Sequence, residues 1–295
     1  MSKKYTFLSN FWIKIIAFIT MTIDHIGWAL SEFVGSNYFL VNPCRLIGRL
    51  ALPLFCFMIV EGVIHTRHFG KYALRLGIMA TIISIAMIIV QYAPAFKGYS
   101  LWGQGNIFID LLLGALTIYL LRRKEIWAKL LSLLIVIISI ISFIVTSYEV
   151  GANALIHWFP FFLRLQYDWL SIMMMVGFYF AYTLKDWALE YHESKTGLEK
   201  AALEGTFLSR NLVNAFSCGM LIVVCTFYYV IGMIINPAYL FWNNGVQAAA
   251  MFSGAFILLY NGKRGYNAKW FEYGSYLYYP LHLILIFGIA ALISM

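Results

Sequence analysis

Lys14 and His25 share one apolar run and stand eleven residues apart. At 100° per residue this spacing returns to within about 20° of the same helix face, with about 16 Å between the two along the axis. An imidazole changes charge near neutral pH and is the usual general base. A cation at one end and a base deep along the same face suit a long ligand with an anionic head and a reactive tail. Coenzyme A has that shape, with phosphates at one end and a thioester at the other. The bland alternatives stay open: a snorkelling lysine anchor and a histidine bonded to a backbone carbonyl.

Other ionisable groups interrupt apolar runs. Asp24 precedes His25 but points about 100° away on a helix, so an arginine is its expected partner. Arg45 and Arg49 are four apart and share a face. They need anionic partners, and Asp24, Glu32, Asp110 or a ligand could serve. Glu61 lies twelve residues beyond Arg49, close to the same face, and Pro53 between them should kink the helix and free a carbonyl. His65, Arg67, His68, Lys71 and Arg75 form a dense basic turn. It suits phosphates, an orientation signal, or acidic lipid headgroups. His282 follows Pro280, which removes the helical partner of the Tyr276 carbonyl. A broken helix there would form a site wall, with His25 and His282 lining one cavity.

The elements that must position these residues follow from composition. The chain has 295 residues, 62% hydrophobic and only 12% charged, with mean hydropathy +0.79. A soluble globule cannot bury that much apolar surface. Continuous apolar runs fall near 11–33, 46–64, 72–93, 107–121, 127–147, 168–184, 211–235, 246–260 and 273–294. They predict an all-α polytopic integral membrane protein, a single domain over 1–295 with about nine transmembrane helices. The run 154–163 is too short to span and reads as a re-entrant or interfacial segment. With the N-terminus inside, 17 of the 21 lysines and arginines fall on the cytoplasmic side and 4 outside, a strong positive-inside bias that leaves the C-terminus outside. The net charge of +8 therefore reflects cytoplasmic loops and membrane lipids, not nucleic acid. The hydrophilic stretch 185–210 reads as a cytoplasmic, surface-lying connector in which Lys195–Glu199 and Lys200–Glu204 have helical pair spacing. Four cysteines without ligand spacing support neither disulfides nor a metal site, and no HExxH, GxSxG, P-loop or GxGxxG motif occurs.

Four stretches resemble the TraX family of membrane acetyltransferases: Lys14 through Asp24-His25-Ile-Gly27, then Arg45-Leu-Ile-Gly-Arg49-Leu-Ala-Leu-Pro53, then Glu61-Gly-Val-Ile-His65-Thr-Arg67 through Tyr72 and Arg75, and finally Tyr279-Pro280-Leu281-His282. Asn106 matches an asparagine before the family's fourth span. The match is collinear and weakens over roughly 125–270. The Lys14–His25 spacing is also similar to that of the wider group of membrane acyltransferases that acetylate surface glycans, with lysine where arginine is common. The resemblance implies His25 as catalytic base with Asp24, Arg45, Arg49 and His282 around it. It further implies Lys14, Glu61, His65, Arg67, Lys71, Arg75, Asn106 and Tyr279 on the cofactor side.

The expected function is therefore transfer of an acetyl group from cytoplasmic acetyl-CoA to an acceptor on the outer face, either a protein amine, as of pilin, or a glycan hydroxyl. A proton-coupled transporter would use the same buried charges, though it usually shows inverted repeats, and none is visible. A non-enzymatic assembly factor for a surface structure is the third reading.

Overall fold

In a computed structural model, residues 6–33, 38–92, 104–151, 160–235 and 245–293 are described. Eleven α-helices account for most of them: α1 (Asn10–Phe33), α2 (Tyr38–Gly48), α3 (Ala51–His65), α4 (Phe69–Tyr92), α5 (Ile107–Leu121), α6 (Ile126–Gly151), α7 (Asp168–Thr196), α8 (Lys200–Leu203), α9 (Phe207–Ile235), α10 (Gly254–Leu258) and α11 (Lys269–Ile293). Among the described residues the only extended pairing is an isolated parallel bridge between Leu8 and Tyr260. The protein is all-α.

Among the described residues, six segments are long and apolar enough to cross a membrane: Asn10–Ser31, Val41–His65, Phe69–Tyr92, Ile126–Phe143, Phe207–Ile234 and Lys269–Ala290. Their exposed large side chains, such as Leu130, Leu134 and Ile138 on α6 or Leu281, Ile284 and Leu285 on α11, are suited to lipid. The other three expected passes fall short of that measure. Helix α5 has 15 residues, which rise only about 22 Å against a hydrocarbon core of about 30 Å. The run 246–260 forms a 3-10 helix, Gly245–Ser253, followed by the five residues of α10. Helix α7 is 29 residues long, but its apolar part stops at Leu184, before Lys185 and Asp186.

One further expectation is met and one is corrected. The helix break in the second apolar run falls at Arg49–Leu50, where Pro53 was expected to free a carbonyl. Proline lacks the N–H that would bond the carbonyl four residues back and clashes with it, so the helix ends near that carbonyl. Pro53 then sits in the first turn of α3, where no N–H is needed. The connector after 184 is not a separate surface helix. Helix α7 continues to Thr196, and Lys200 reaches back to Glu190 (2.7 Å) and Asp186 (3.7 Å) instead of forward to Glu204. The Glu190 hydrogen bond holds the Lys200 ammonium above its ordinary pKa. Of the short run 154–163, residues 154–159 lie outside the described residues; Phe161–Leu163 is a 3-10 turn.

The chain divides into two compact units, one of Met1–Met58 with Gly177–Met295 and one of Ile59–Val176. In the first, α1 packs on α2 and α11, and α9 packs on α10 and the 3-10 helix. Phe18, Met21 and Ala51 form a core with Phe55, Phe271, Tyr278 and Tyr279 against it. The segment before α1 is laced to the loop before α11 by Leu8 N–H to Leu259 O (3.0 Å), Asn261 N–H to Leu8 O (2.9 Å), Asn10 N–H to Lys263 O (2.8 Å) and Phe11 N–H to Arg264 O (3.1 Å). In the second unit, α5 packs on α4 and α6. Asp110 accepts from the Gln166 and Tyr167 amides (2.6 and 3.0 Å) and from the Ser171 hydroxyl (2.7 Å), which fastens the start of α7.

Candidate active site

The site is built on the first unit, where α1 and α11 bring two histidines together across 257 residues of chain. His25 Nδ1 lies 2.6 Å from His282 Nε2, and the rings overlap with centroids 4.8 Å apart. His282 is only 6% exposed, and His25 is half-buried. The second nitrogen of His282, Nδ1, is 2.7 Å from the Tyr278 carbonyl. A carbonyl only accepts, so Nδ1 carries the proton. With both rings neutral, His282 Nε2 is then the acceptor and His25 Nδ1 the donor. The unprotonated nitrogen of His25 is Nε2, so the chain of hydrogen bonds sets its tautomer.

Aromatic rings hold this pair. Tyr278 stacks on His282 with centroids 5.0 Å apart and on Phe18 at 4.4 Å. Tyr279 meets His25 and His282 edge-on at 6.1 and 5.7 Å. The Thr22 hydroxyl donates to the Phe18 carbonyl at 2.8 Å, so the Tyr278 hydroxyl donates to Thr22 Oγ1 at 2.6 Å. Pro280 was expected to free the Tyr276 carbonyl. The carbonyl that a histidine uses is that of Tyr278, one turn before His282.

Asp24 faces α2, as its angular offset from His25 requires. Its Oδ2 lies 2.9 Å from Arg45 Nη1 and its Oδ1 3.2 Å from Arg49 Nη2. Arg49 also donates to Gln247 Oε1 on the 3-10 helix (2.9 Å) and to the Arg45 carbonyl (3.2 Å). Asp24 thus takes the role expected of Asp24, Glu32 or Asp110. The Glu32 side chain lies outside the described residues, and Asp110 serves the turn before α7. Asp24 holds both guanidiniums, and both arginines lie within electrostatic range of His25. The close approach of α1 and α2 explains two glycines. A Cβ on Gly48 would sit 2.2 Å from the Asp24 Cβ, and one on Gly27 would sit 2.6 Å from the Cys44 Cβ. Small residues let helix backbones approach in this way. Gln247 was not singled out in the sequence; its signal was a lone amide inside an apolar run.

Lys14 Nζ lies 5.6 Å over the Phe271 ring, with Glu272 in electrostatic range. It belongs to the same unit as the histidines. Glu61, His65, Arg67, Lys71, Arg75 and Asn106 belong to the second unit. His65 Nδ1 donates to the Glu61 carbonyl at 2.9 Å, and Glu61 itself is buried. Arg67 lines a cleft, while Lys71 and Arg75 lie in the first two turns of α4. Asn106 is fully buried. Its Oδ1 caps α5 at the Phe108 amide (3.0 Å), and its Nδ2 donates to the Ala80 carbonyl (2.7 Å) and to Ser84 Oγ (3.0 Å). Both ends of this amide are engaged in holding α5 to α4.

Helices long and apolar enough to cross a membrane, with a histidine pair and an arginine–carboxylate cluster in the first unit, mark a membrane protein that carries ionisable groups on its apolar helices. The family model described as TraX protein matches residues 9–290, so the chain belongs to the TraX family. Among curated proteins, it is 33% identical over 121 residues to the probable fimbrial assembly protein FimC, serogroup H1, of Dichelobacter nodosus, a match covering 40% of this chain and 48% of that one. It is 29% identical over 164 residues to the uncharacterized protein RP591 of Rickettsia prowazekii (strain Madrid E), covering 56% and 52% respectively. The chain thus spans about half the length of the curated relatives it matches. No solved structure matches.

Proposed function

We propose that this protein is an integral membrane acyltransferase that moves an acetyl group from acetyl-CoA to an acceptor amine or hydroxyl. The observation that carries the reading is the hydrogen-bonded chain from the Tyr278 carbonyl through His282 to His25, which leaves His25 Nε2 unprotonated. In the reaction, Nε2 takes the proton of the acceptor as its nitrogen or oxygen attacks the thioester carbonyl. His282 Nε2 accepts from His25 Nδ1–H and stabilises the imidazolium that forms. The Arg45 and Arg49 guanidiniums favour the tetrahedral oxyanion. Collapse breaks the carbon–sulfur bond, and the His25 Nε2 proton goes to the departing thiolate. Lys14, on the His25 face of α1, supplies a cation for a phosphate of the donor.

The acceptor we favour is a fimbrial or pilin subunit amine, because one relative carries the name of a fimbrial assembly protein. We further propose nine passes, counting α5, α7 and the 245–258 segment, with the N-terminus cytoplasmic and the C-terminus outside. This topology follows the asymmetry of lysine and arginine.

The test is thioester turnover. Purified protein in neutral detergent, given acetyl-CoA and a pilin-type amine, should release free thiol, and His25→Ala should lower that rate by about 10²–10⁴. Absence of thiol release from the wild type would overturn the enzyme reading. It would leave a non-enzymatic role in fimbrial assembly, which the relative's name also fits.

A further inference from the structure

The geometry points to a second polar site, in the Ile59–Val176 unit: a binding cleft for a phosphate group at the N-terminus of α4. It is an open cleft with about 380 Å³ of space, and Arg67, Arg122 and Arg123 are exposed along it. One wall is the α3–α4 turn, with Thr66, Arg67 and Gly70, and the other is the end of α5, with Tyr119, Arg122 and Arg123. Three guanidiniums line it and no carboxylate does.

The arginines are arranged rather than merely present. Arg122 uses one N–H on the Val63 carbonyl at 2.7 Å, which leaves four of its five donors. Arg123 donates to the Tyr119 hydroxyl and rests over the Tyr119 ring, its guanidinium carbon 4.9 Å from the centroid. That ring in turn stacks face to face on Phe69 at 4.0 Å. Among the described residues none of the three is paired with a carboxylate at salt-bridge distance. Glu125 lies within electrostatic range of Arg123, and the C-terminal dipole of α5 answers only about half a unit charge, so together they do not account for three cations.

The opposite wall supplies a complementary field. The first helical hydrogen bond of α4 runs from the Tyr72 amide to the His68 carbonyl. The Phe69, Gly70 and Lys71 amides precede it and have no intrahelical acceptor. The first turn of α4 contains no acidic residue. A Cβ on Gly70 would meet nothing within 4 Å, so the backbone there is open to a ligand. A helix N-terminus facing arginine forks is suited to a phosphate. Both faces of Tyr119 are covered, by Phe69 and by Arg123, so the cleft recognises the anion and not an aromatic base. The phosphate belongs to a soluble organic phosphate or to a phospholipid headgroup. The site does not depend on any chemistry at His25.

Pyrophosphate binding to purified protein in neutral detergent, measured by calorimetry, tests the soluble source. Retention of phosphatidylglycerol against phosphatidylcholine, read by native mass spectrometry, tests the headgroup. Arg67→Gln and Arg123→Gln should each weaken the bound probe tenfold or more. Lys124→Gln, which removes an equal charge next to the cleft but does not line it, should leave binding unchanged. Gly70→Asp should abolish binding while circular dichroism and size exclusion stay wild-type, because the new carboxylate takes the anion's place at the helix end. His25→Ala should bind as the wild type does. Loss of pyrophosphate binding in the cleft variants assigns a soluble phosphate, and loss of phosphatidylglycerol retention assigns a headgroup. If neither probe binds, or if Lys124→Gln loses as much as Arg123→Gln, the positive charge is diffuse and the site is refuted.

Discussion

His282→Ala removes the acceptor of the His25 Nδ1–H bond, which is 2.6 Å long, and leaves that donor in a half-buried place without a partner. A buried group so orphaned costs about 1–3 kcal/mol. If that energy orients the base and holds its tautomer, the rate falls about 5–150-fold at about 1.4 kcal/mol per factor of ten. The loss should appear in kcat, with KM for acetyl-CoA little changed, because His282 acts through His25 and not on the donor. His282→Gln, whose amide oxygen can accept the same hydrogen bond, should recover part of the rate. The decisive assay is thioester turnover of the single and double variants. His282→Ala in a His25→Ala background should cost nothing further, since residues that act as a unit are not additive. A multiplicative loss in the double variant, or a His282→Ala rate within twofold of wild type, would refute the relay.

Three other predictions concern stability. Gly48→Ala places a Cβ 2.2 Å from the Asp24 Cβ and should lower the melting temperature and the folded yield, as overpacking typically costs about 1–3 kcal/mol or more. Asp24→Asn leaves Arg49, 7% exposed, without its carboxylate. It should destabilise by about 3–5 kcal/mol, read as loss of monodisperse protein after detergent extraction, and Arg49→Met in the same chain should restore part of it. Asn106→Ala removes the α5 cap and two bonds to α4; the cap alone is worth about 0.5–2 kcal/mol, and thermal unfolding should report at least that.

What the sequence made legible depended on the range of the force involved. Helices α1, α4, α5 and α11 begin within a few residues of their apolar runs, because lipid demands internal backbone bonding and composition reports it. The partner of Asp24 followed from helix angle alone. The break at Arg49–Leu50 was legible from Pro53, because a proline acts on the carbonyl four residues before it. The run 246–260 carried no sign that its first part would wind as a 3-10 helix, since apolar composition does not distinguish the two windings. Lys200 took Glu190 and Asp186 because α7 runs through to Thr196, where a nearer pair at helical spacing had been expected. The two histidines could be singled out by their cost in lipid. Which atoms meet, and therefore which nitrogen stays bare, depends on how α11 lies on α1 and could not be read from spacing.

The lacing of the segment before α1 to the loop before α11 joins two helices made far apart in time. His25 and His282 are separated by 257 positions, so at about 5–20 residues per second the first histidine waits about 13–50 s for its partner. During that time α1 must sit in the bilayer with Asp24 able to find Arg45 and Arg49 early but with His25 Nδ1 unmatched. The four backbone bonds between residues 8–11 and 259–264 then draw α11 onto α1 in one register. Nascent chains that stop short of α11 therefore lack both the histidine pair and the clasp, and the His25 tautomer is set only once α11 has been made.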